Sequence, residues 1–554
     1  MKNVCYLAAL ALALAGRGAL AQSDFEADNF NATDALFKQG IDVNTLPGFD
    51  ELRKSQDSSA PLEKRGCFSC TVACDSLKLL YGSEKVLLKD KDGYSDFVGG
   101  YWSDNQAQVR PACVFKPTSG LEVSSAVLLS RVTRCPFAAK SGGHAAFAGA
   151  SSIEDGVTIS FANMKDVTLS ADKSIASVGP GNIWGPVFEE LAKSDLTVIG
   201  GRLYNIGVGG LTTGGGISYF SNTFGWAADN VESFDVVTAS GLIVRASATE
   251  YPDLYKALRG GGNNLGLVVN FNLQTVPLPG GKMWGGSKVH TEDKFPEVDR
   301  AFANLIANSA DDTKAGLWLV HYQQAPGVNL ALTTLWHADP DGGNKPIFAE
   351  FNAIAPVSDD TKPRVLGEWG KETMAQSPPG LRETYYTLTV KADVGILEFA
   401  RKTYFESVGD AVGDVPGVLP NMVTQGITIP QLEQMQKNGG NALGLRPEDG
   451  PLYIIMIASM WKNKEDDARV QTFMSDVMRK VKAEAKARKL DHPYIYMNYA
   501  SQYQDAIASY GDEIKARLKS VASRYDPAGV FQLLQPGGFK LDRAPTPDAA
   551  FFSH

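Results

Sequence analysis

The sequence predicts an α+β protein with two unlike domains, and three observations lead to this class. The chain has 554 residues, more than a single hydrophobic core usually serves. Short strand-like and helical segments alternate up to residue 276, with glycine clusters between them. After Pro277-Leu278-Pro279-Gly280-Gly281, longer strand-like runs follow, separated by helical patterns. An antiparallel sheet covered by helices is the simplest second domain that such runs can form.

Composition and charge exclude several classes of protein. The chain is 44% apolar and 21% charged, which indicates a folded rather than a disordered protein. It carries 53 basic and 62 acidic residues, a net charge of -9, and so lacks the basic footprint of a nucleic-acid-binding protein. No stretch after the N-terminus is long and apolar enough for a membrane helix. We therefore expect neither nucleic acid nor a membrane as a partner.

The N-terminus is predicted to direct export. Lys2 precedes an apolar run from Val4 to Gly16, and Ala19-Leu20-Ala21 ends the segment, as in a secretory signal peptide. We expect residues 1–21 to be removed and the mature protein to be secreted or held in the lumen of the secretory pathway.

Residues 22–66 are polar and weakly periodic, which predicts a linker or a propeptide. A dibasic Lys64-Arg65 could be the cleavage site of that propeptide, and an exposed linker is equally compatible with the pattern. Asn31-Ala32-Thr33 is an N-glycosylation sequon, so Asn31 is a candidate glycosylation site.

The cysteines that follow the signal peptide are interpreted as structural. In an oxidising compartment they predict one or two disulfides and one leftover thiol, and their spacing leaves the pairing open. Cys67-x-x-Cys70 resembles half of a redox or zinc site, but no second pair of Cys or His completes it, and no metal is expected. These cysteines are Cys67, Cys70, Cys74, Cys113 and Cys135.

The elements of the first domain are justified in order along the chain. A strand at 114–115 leads to a helix that Ser119 and Glu122 open as a capping box. A second strand at 136–139 ends in a glycine-rich loop that carries His144, so a β-α-β unit presents this loop. Further along, strands are predicted at 157–161, 175–178 and 196–199, a helix at 186–193, and a β-hairpin from 234–238 and 242–245.

The second domain is predicted from strand-like runs and one charged amphipathic helix. The strands are at 317–322, 329–336 and 452–461, and the helix is at 466–488. Alternation of residue types marks His321, Trp336 and His337 as half-buried sheet residues, which makes them weak candidates for substrate binding.

Glycine clusters at 140–149, 200–216 and 259–266 distinguish the first domain. Glycine lets the backbone approach a ligand closely, and several such loops suggest that backbone N–H groups line a phosphate-bearing ligand. The commonest nucleotide motifs are absent, because Thr212 stands at the third glycine position of a dinucleotide fingerprint and no Gly-Lys-Ser/Thr loop occurs. A simple NAD-dependent dehydrogenase is excluded, while a nucleotide ligand is still expected.

Together these motifs resemble the FAD domain of vanillyl-alcohol-oxidase-type (PCMH-type) flavoproteins. More narrowly, they resemble the berberine-bridge-enzyme-like oxidases, which include fungal secreted and biosynthetic members. The similarity runs from about residue 70 to 540 and rests on segments that are jointly specific. They are Lys140-Ser141-Gly142-Gly143-His144, Gly201-Arg202, Gly207-Val208-Gly209-Gly210, Gly214-Gly215-Gly216, Leu258 to Gly266, Tyr496-Met497-Asn498-Tyr499, Tyr525-Asp526-Pro527 and Pro536-Gly537-Gly538-Phe539.

The resemblance implies how the chain is divided and how it holds its cofactor. It implies a PCMH-type FAD-binding domain of two small α/β subdomains at 67–280, a substrate domain at 281–490, and a C-terminal segment at 491–540 that returns to the FAD domain. His144 matches the histidine that bonds covalently to the flavin 8α-methyl group. Many relatives add a cysteinyl bond, but Leu203 stands at that position, so a single attachment is expected.

The resemblance also implies the residues of the site. FAD would be bound by His144, Ser141, Gly142, Gly143, Gly149, Gly201, Gly207, Gly209, Gly210, Gly214, Gly215, Gly216 and Gly266. Tyr496 and Tyr499 match residues that face the flavin ring, either could act as the base, and Asn498 would orient them.

The expected function is that of an FAD-linked oxidase. Hydride would pass from a small organic substrate, such as a phenolic, alkaloid, polyketide or other secondary metabolite, to the flavin, with O₂ as acceptor giving H₂O₂. A carbohydrate oxidase of the same fold is one alternative, although Leu203 and Leu211 depart from the sugar-oxidising relatives. A non-catalytic binding protein that keeps the flavin fold is the second alternative. The oligomeric state is left open.

Overall fold

In the computed structural model of the chain, the described residues are 25–27, 29–56, 62–375 and 377–552. The predicted signal peptide at 1–21 lies outside them. The side chains of 62–67 also lie outside them, so neither the side chain of Cys67 nor the expected cleavage after Arg65 can be described. Within the described ranges, no helix is long and apolar enough to cross a membrane.

The strands of the described part form three sheets. The first has the order β1-β2-β4-β3, the second β5-β6-β10-β8-β9 with β7 beside β10, and the third β14-β11-β13-β12-β17-β18-β16-β19 with β15 beside β11. The strands are β1 Val86–Leu88, β2 Cys113–Phe115, β3 Phe137–Lys140, β4 Val157–Ser160, β5 Val167–Leu169, β6 Ile175–Val178, β7 Leu196–Val198, β8 Val231–Val237, β9 Ile243–Ser247, β10 Leu267–Pro277, β11 Lys282–Thr291, β12 Ala315–Ala325, β13 Val328–His337, β14 Ser358–Asp359, β15 Lys362–Val365, β16 Arg382–Lys391, β17 Leu419–Ile427, β18 Leu452–Trp461 and β19 Asp491–His492.

Helices cover the sheets and connect their strands. They are α1 Ala32–Lys38, α2 Phe49–Gln56, α3 Leu62–Tyr81, α4 Tyr94–Gly99, α5 Asp104–Ala107, α6 Gly120–Thr133, α7 Trp184–Ala192, α8 Val208–Thr213, α9 Ser221–Phe224, α10 Pro252–Leu258, α11 Phe295–Ala307, α12 Ala349–Ala353, α13 Leu366–Met374, α14 Val394–Val412, α15 Ile429–Gln434, α16 Asp467–Ala487, α17 Asp512–Tyr525 and α18 Val530–Leu533.

The first two sheets confirm the α/β character predicted for the N-terminal half. In the first sheet β2, β4 and β3 are parallel, and α6 connects β2 to β3. Ser119 caps α6 by accepting a hydrogen bond from the Glu122 N–H (3.3 Å). The Glu122 carboxylate accepts from the Thr118 N–H (2.9 Å) rather than from that of Ser119, so the cap is shifted by one residue from the predicted box. The second sheet is antiparallel and contains the predicted hairpin as β8 and β9.

The third sheet confirms the predicted antiparallel sheet covered by helices. One face packs against α11, α14 and α16, and its core includes Phe302, Tyr404 and Met474, all buried. The opposite face of the central strands is turned toward the glycine loops of the N-terminal half. Because side chains alternate between the faces of a strand, each central strand contributes alternately to the helical core and to the other face.

The segment 22–66 differs from the linker that its polar composition predicts. Its described part forms α1 and α2, and Leu36, Phe49 and Leu52 are buried in the core around the first sheet. These apolar residues are too widely spaced in a polar segment to give a clear helical period, and packing against α6 decides the structure instead. Asn31 is exposed, and its side chain caps α1 by accepting from the Thr33 N–H (2.8 Å).

Two disulfides fix the pairing that the spacing left open. Cys70 bonds to Cys135 and Cys74 to Cys113. Both bonds tie α3 to the first sheet and its connections. Cys70 is therefore half of a disulfide and not part of a redox or zinc motif with Cys67.

Candidate active site

A cavity of about 490 Å³ lies between the glycine loops and the third sheet. One wall is formed by the loop after β3, the loop before α8, and the start of β10. The other wall is formed by β12, β16, β17 and β18. The C-terminal segment reaches the cavity through Tyr496 to Tyr499 and through Gly538 and Phe539.

The glycine wall is built by close contact between two loops. An added Cβ on Gly207 would lie 2.2 Å from the Gly142 nitrogen, and one on Gly142 would lie 2.5 Å from the Gly207 nitrogen. Ser141 joins the same loops, because its Oγ donates to the Pro180 carbonyl (2.6 Å) and accepts from the Gly209 N–H (3.1 Å). Only glycine fits at this crossing, and the result is a backbone surface open to a ligand.

The predicted cofactor residues divide into two groups. Those that line the cavity are Ser141, Gly142, Gly143, His144, Gly207, Gly209, Gly210 and Gly266. The others, Gly149, Gly201, Gly214, Gly215 and Gly216, are not among the lining residues. An added Cβ on Gly201 would meet the Trp184 indole at 2.6 Å, and one on Gly214 would meet the Asn498 amide at 2.1 Å. Gly201 and Gly214 thus pack closely against neighbouring side chains, whereas an added Cβ on Gly149 would meet no described atom within 4 Å.

His144 lines the cavity. Its ring stacks on Trp102 with 4.0 Å between centroids. Its Nε2 is buried and has no hydrogen-bond partner among the described residues. Burial lowers the pKa of His144 to about 4, because the imidazolium loses its hydration there. A neutral imidazole with an uncommitted nitrogen fits the covalent attachment of a flavin, and Leu203, which the resemblance places at the position of a second, cysteinyl attachment, lines the same cavity.

Tyr496 and Tyr499 have different surroundings although their rings are in contact. The Tyr496 hydroxyl accepts hydrogen bonds from the N–H groups of Gly216 (3.1 Å) and Ile217 (3.2 Å) and from the Asn498 amide (3.0 Å). Burial raises the pKa of this phenol. Tyr496 and Asn498 both line the cavity, yet the hydroxyl of Tyr496 is committed to holding the loop after α8.

Tyr499 carries its hydroxyl between two side-chain donors. The Arg202 guanidinium donates to it at 2.7 Å and the Gln425 amide at 3.2 Å. Arg202 also lies over the Trp318 ring, 4.6 Å from its centroid. A cationic donor stabilises negative charge on a phenol oxygen. Of the two predicted tyrosines, Tyr499 is the one with a cationic side chain placed to stabilise a phenolate.

The sheet wall holds residues that sequence reasoning did not single out. Apart from Ser459, they sit at alternate positions on four neighbouring strands, as the period of a strand requires. They are Glu383 and Tyr385 on β16, Asn421, Val423 and Gln425 on β17, Met456, Ala458 and Met460 on β18, and Trp318 and Val320 on β12. Strand alternation was the available signal, but nothing in it says which face meets a ligand. The weak candidates His321, Trp336 and His337 are not among the lining residues, and His321 is buried beside Asp299.

Glu383 is the acidic side chain of this wall. It is only 2% exposed, and its Oε1 has no hydrogen-bond partner within the described residues. Burial raises the pKa of this carboxyl to about 9. Across the described part of the chain, no group of three or more His, Cys, Asp or Glu side chains could hold a metal ion.

Comparisons with known proteins agree with this architecture. A family model described as an FAD binding domain matches residues 111–247. The chain is 35% identical to the FAD-dependent monooxygenase tpcD of Cochliobolus heterostrophus over 86% of its length and 94% of that protein. It is 37% identical to the FAD-dependent monooxygenase FUP4 of Fusarium proliferatum over 85% of its length and 95% of that protein. It is 31% identical to the bifunctional solanapyrone synthase of Alternaria solani, over 90% and 95%.

Solved structures share the fold at lower identity. The 6-hydroxy-D-nicotine oxidase of Arthrobacter nicotinovorans superposes with a TM-score of 0.68 at 19% identity, covering 83% of this chain and 97% of that one. The xylooligosaccharide oxidase of Myceliophthora thermophila C1 gives a TM-score of 0.67 at 19% identity, covering 87% and 100%. The sequence relatives show that the chain belongs to the FAD-dependent oxidoreductases, and the solved structures show that it has the PCMH-type fold of the berberine-bridge-enzyme-like proteins.

Proposed function

We propose that this protein is a secreted FAD-linked oxidase that removes a hydride and a proton from a small organic substrate, with O₂ as the final acceptor. The observation that carries the proposal is the pairing, in one cavity, of an uncommitted His144 Nε2 with a Tyr499 hydroxyl held by two donors. The first supports a single covalent attachment of FAD. The second supplies a proton acceptor beside the space for substrate.

The roles of the residues follow from their positions. His144 and the loops at Ser141 to Gly143 and Gly207 to Gly210 would hold the cofactor, with Leu203 leaving the attachment single. Bound FAD supplies the hydride acceptor. Tyr499, acting as a phenolate, takes the proton of the substrate O–H or N–H and becomes a phenol, and Arg202 and Gln425 stabilise the negative charge that its oxygen carries before the transfer. Tyr496 and Asn498 keep Tyr499 and the loop after α8 in place.

The sheet wall favours an aromatic or otherwise apolar substrate over a sugar. Trp318, Val320, Val423 and Met456 give this wall a largely apolar surface. A sugar would leave many hydroxyl groups without partners there, at a cost for each buried polar group. A phenolic or polyketide metabolite suits the wall better than the carbohydrate alternative.

The names of the sequence relatives favour a second candidate, a monooxygenase, in which one atom of O₂ enters the product. An oxidase would instead return both oxygen atoms as H₂O₂. The two reactions share the glycine wall and differ only in the fate of oxygen.

Anaerobic mixing followed by O₂ tests the proposal. The purified holoenzyme is mixed anaerobically with a panel of phenols, cyclic β-diketones and mono- and disaccharides, and bleaching of the flavin absorbance is recorded. We expect bleaching by a phenol or diketone, and about one H₂O₂ per substrate oxidised when ¹⁸O₂ is admitted, with no ¹⁸O in the product. Bleaching by sugars alone, or ¹⁸O in the product, would contradict the oxidase proposed here.

A further inference from the structure

Glu383 has no role in the chemistry described so far, although it lines the cavity. Its side chain is only 2% exposed, and one carboxyl oxygen has no hydrogen-bond partner in the described part of the chain. The neighbouring Arg382 does not neutralise it, because Asp467 and Asp104 engage that guanidinium. A buried carboxylate without a cation or donor is costly, whereas a buried carboxylic acid is not.

The other titratable side chains that face the cavity determine which charge a substrate can carry. Arg202 is a fixed cation. Burial keeps His144 neutral at pH 7, since it lowers the pKa of that imidazole to about 4. Burial also raises the pKa of Tyr385, the next inward-facing residue of β16, and that of Tyr496. The remaining titratable side chain that lines the cavity is that of Tyr499. The cavity therefore has positive rather than negative character, which disfavours an ammonium group.

Resting on the proposed function, we infer that Glu383 is a neutral carboxylic acid that donates its proton in a hydrogen bond to an acceptor oxygen of the substrate. It thereby selects substrates with a carbonyl or similar oxygen over amines. The unpartnered oxygen and the missing counter-ion carry this inference. Burial agrees with it, since the pKa raised to about 9 keeps the group protonated at pH 7. No proton leaves Glu383 in the reaction, so Tyr499 keeps its separate role.

The protonation state can be measured without any ligand. Infrared difference spectra of the yellow holoenzyme, wild type minus Glu383→Gln, should show the carbonyl stretch of a protonated carboxylic acid at pH 7. The band should disappear as the pH rises through about 9. Glu368→Gln, on the exposed side of α13, is the matched control and should leave the band unchanged. Absence of the band at pH 7 would overturn the inference.

Selectivity is tested with two probes that share a carbon skeleton. They are 4′-hydroxyacetophenone and 4-(1-aminoethyl)phenol, and binding is followed by the perturbation of the flavin absorbance. We expect the ketone to bind at least roughly tenfold more tightly at pH 7, as for one buried hydrogen bond. In the wild type, binding of the ketone should weaken above pH 9, where Glu383 loses its proton. Glu383→Gln keeps a neutral donor, so it should retain ketone affinity within about threefold and show no such weakening. Glu383→Ala should lose roughly tenfold in ketone affinity at pH 7.

The opposite results would overturn the inference. One is tighter binding of the amine than of the ketone. Another is equal affinity for the two probes, which includes no binding of either. The third is an equal loss of ketone affinity in Glu383→Gln and Glu383→Ala. Failure of the proposed function is distinguishable from these, because it would show as a colourless protein or as a yellow protein that no substrate reduces.

Discussion

The two walls of the cavity are built in different ways. The glycine wall presents backbone, and its geometry is set by contacts such as that between Gly142 and Gly207, where no side chain fits. The sheet wall presents side chains from four strands that are continuous with a helix-covered core. A substitution on the glycine wall therefore disturbs the backbone of the loops, while one on the sheet wall changes what the cavity touches.

The glycine wall is expected to be shared with the relatives, whereas the sheet wall is expected to differ between them. A cofactor common to many relatives requires the same backbone surface, so the glycine wall carries a recognisable motif. The sheet wall can exchange side chains at alternate positions while the strand pairing stays the same. Substrate preference is then expected to reside in residues such as Glu383, Asn421 and Gln425.

The largest effect is expected at the point where the glycine wall would bind the cofactor covalently. His144→Ala removes the free Nε2, so the polypeptide should carry no FAD after acid denaturation. Intact-mass spectrometry measures this directly. His492→Ala, on β19 and outside the lining, is the control and should keep the attached mass. FAD still attached in His144→Ala would place the linkage elsewhere.

Tyr496 and Tyr499 are expected to have different roles, one in stability and the other in catalysis. Tyr499→Phe removes the proton acceptor, and flavin reduction should slow by roughly a hundredfold or more with a smaller change in substrate affinity. Tyr496→Phe instead leaves the N–H groups of Gly216 and Ile217 without an acceptor, which should cost about 1–3 kcal/mol of stability. Stopped-flow reduction and denaturant unfolding separate the two outcomes, and an unchanged reduction rate in Tyr499→Phe would reject it as the base.

The disulfides lie in the glycine-wall half of the molecule, and no cysteine follows Cys135 in the sequence. Replacing both Cys70 and Cys135 by Ser should lower the free energy of unfolding by about 2–5 kcal/mol. Loss of the Cys74–Cys113 bond should cost about 0.5 kcal/mol less, because it closes a loop of 39 rather than 65 residues. Guanidinium unfolding of the two double variants checks both the size and the order of the losses.

A loss of stability is also predicted at the loop crossing itself. Gly207→Ala places a methyl group 2.2 Å from the Gly142 nitrogen and should destabilise the protein by about 1–3 kcal/mol, with weaker FAD retention. Gly99→Ala is the matched control, since an added Cβ there meets no described atom within 4 Å. Equal stability of the two variants would show that the crossing tolerates a side chain.

Much of the fold was predictable because local signals and packing agree. Strand β6 at Ile175–Val178 and strand β18 at Leu452–Trp461 have the predicted bounds, and helix α16 at Asp467–Ala487 lies within one residue of them. The segment 32–56 was not predictable, because the apolar residues that fold it are sparse and find their partners in α6, far along the chain. Disulfide pairing depends on the same long-range packing.

The site was predictable on one wall only. Close backbone contact requires glycine, so the loops at 142 and 207 are recognisable in the sequence as glycine clusters. The sheet wall demands only alternation, and a buried Glu383 looks like any other strand residue in sequence. The unequal roles of Tyr496 and Tyr499 were likewise hidden, because they depend on Arg202 and Gln425, which are distant in sequence.

The central claim is that FAD is attached by a single covalent bond, through His144, and one measurement tests it most directly. The intact mass of the acid-denatured wild-type protein should exceed that of its processed polypeptide by one FAD, and the native protein should show a flavin spectrum. A yellow native protein whose denatured polypeptide carries no added mass would contradict the covalent attachment. A colourless protein without added mass would contradict the assignment of the glycine wall to FAD.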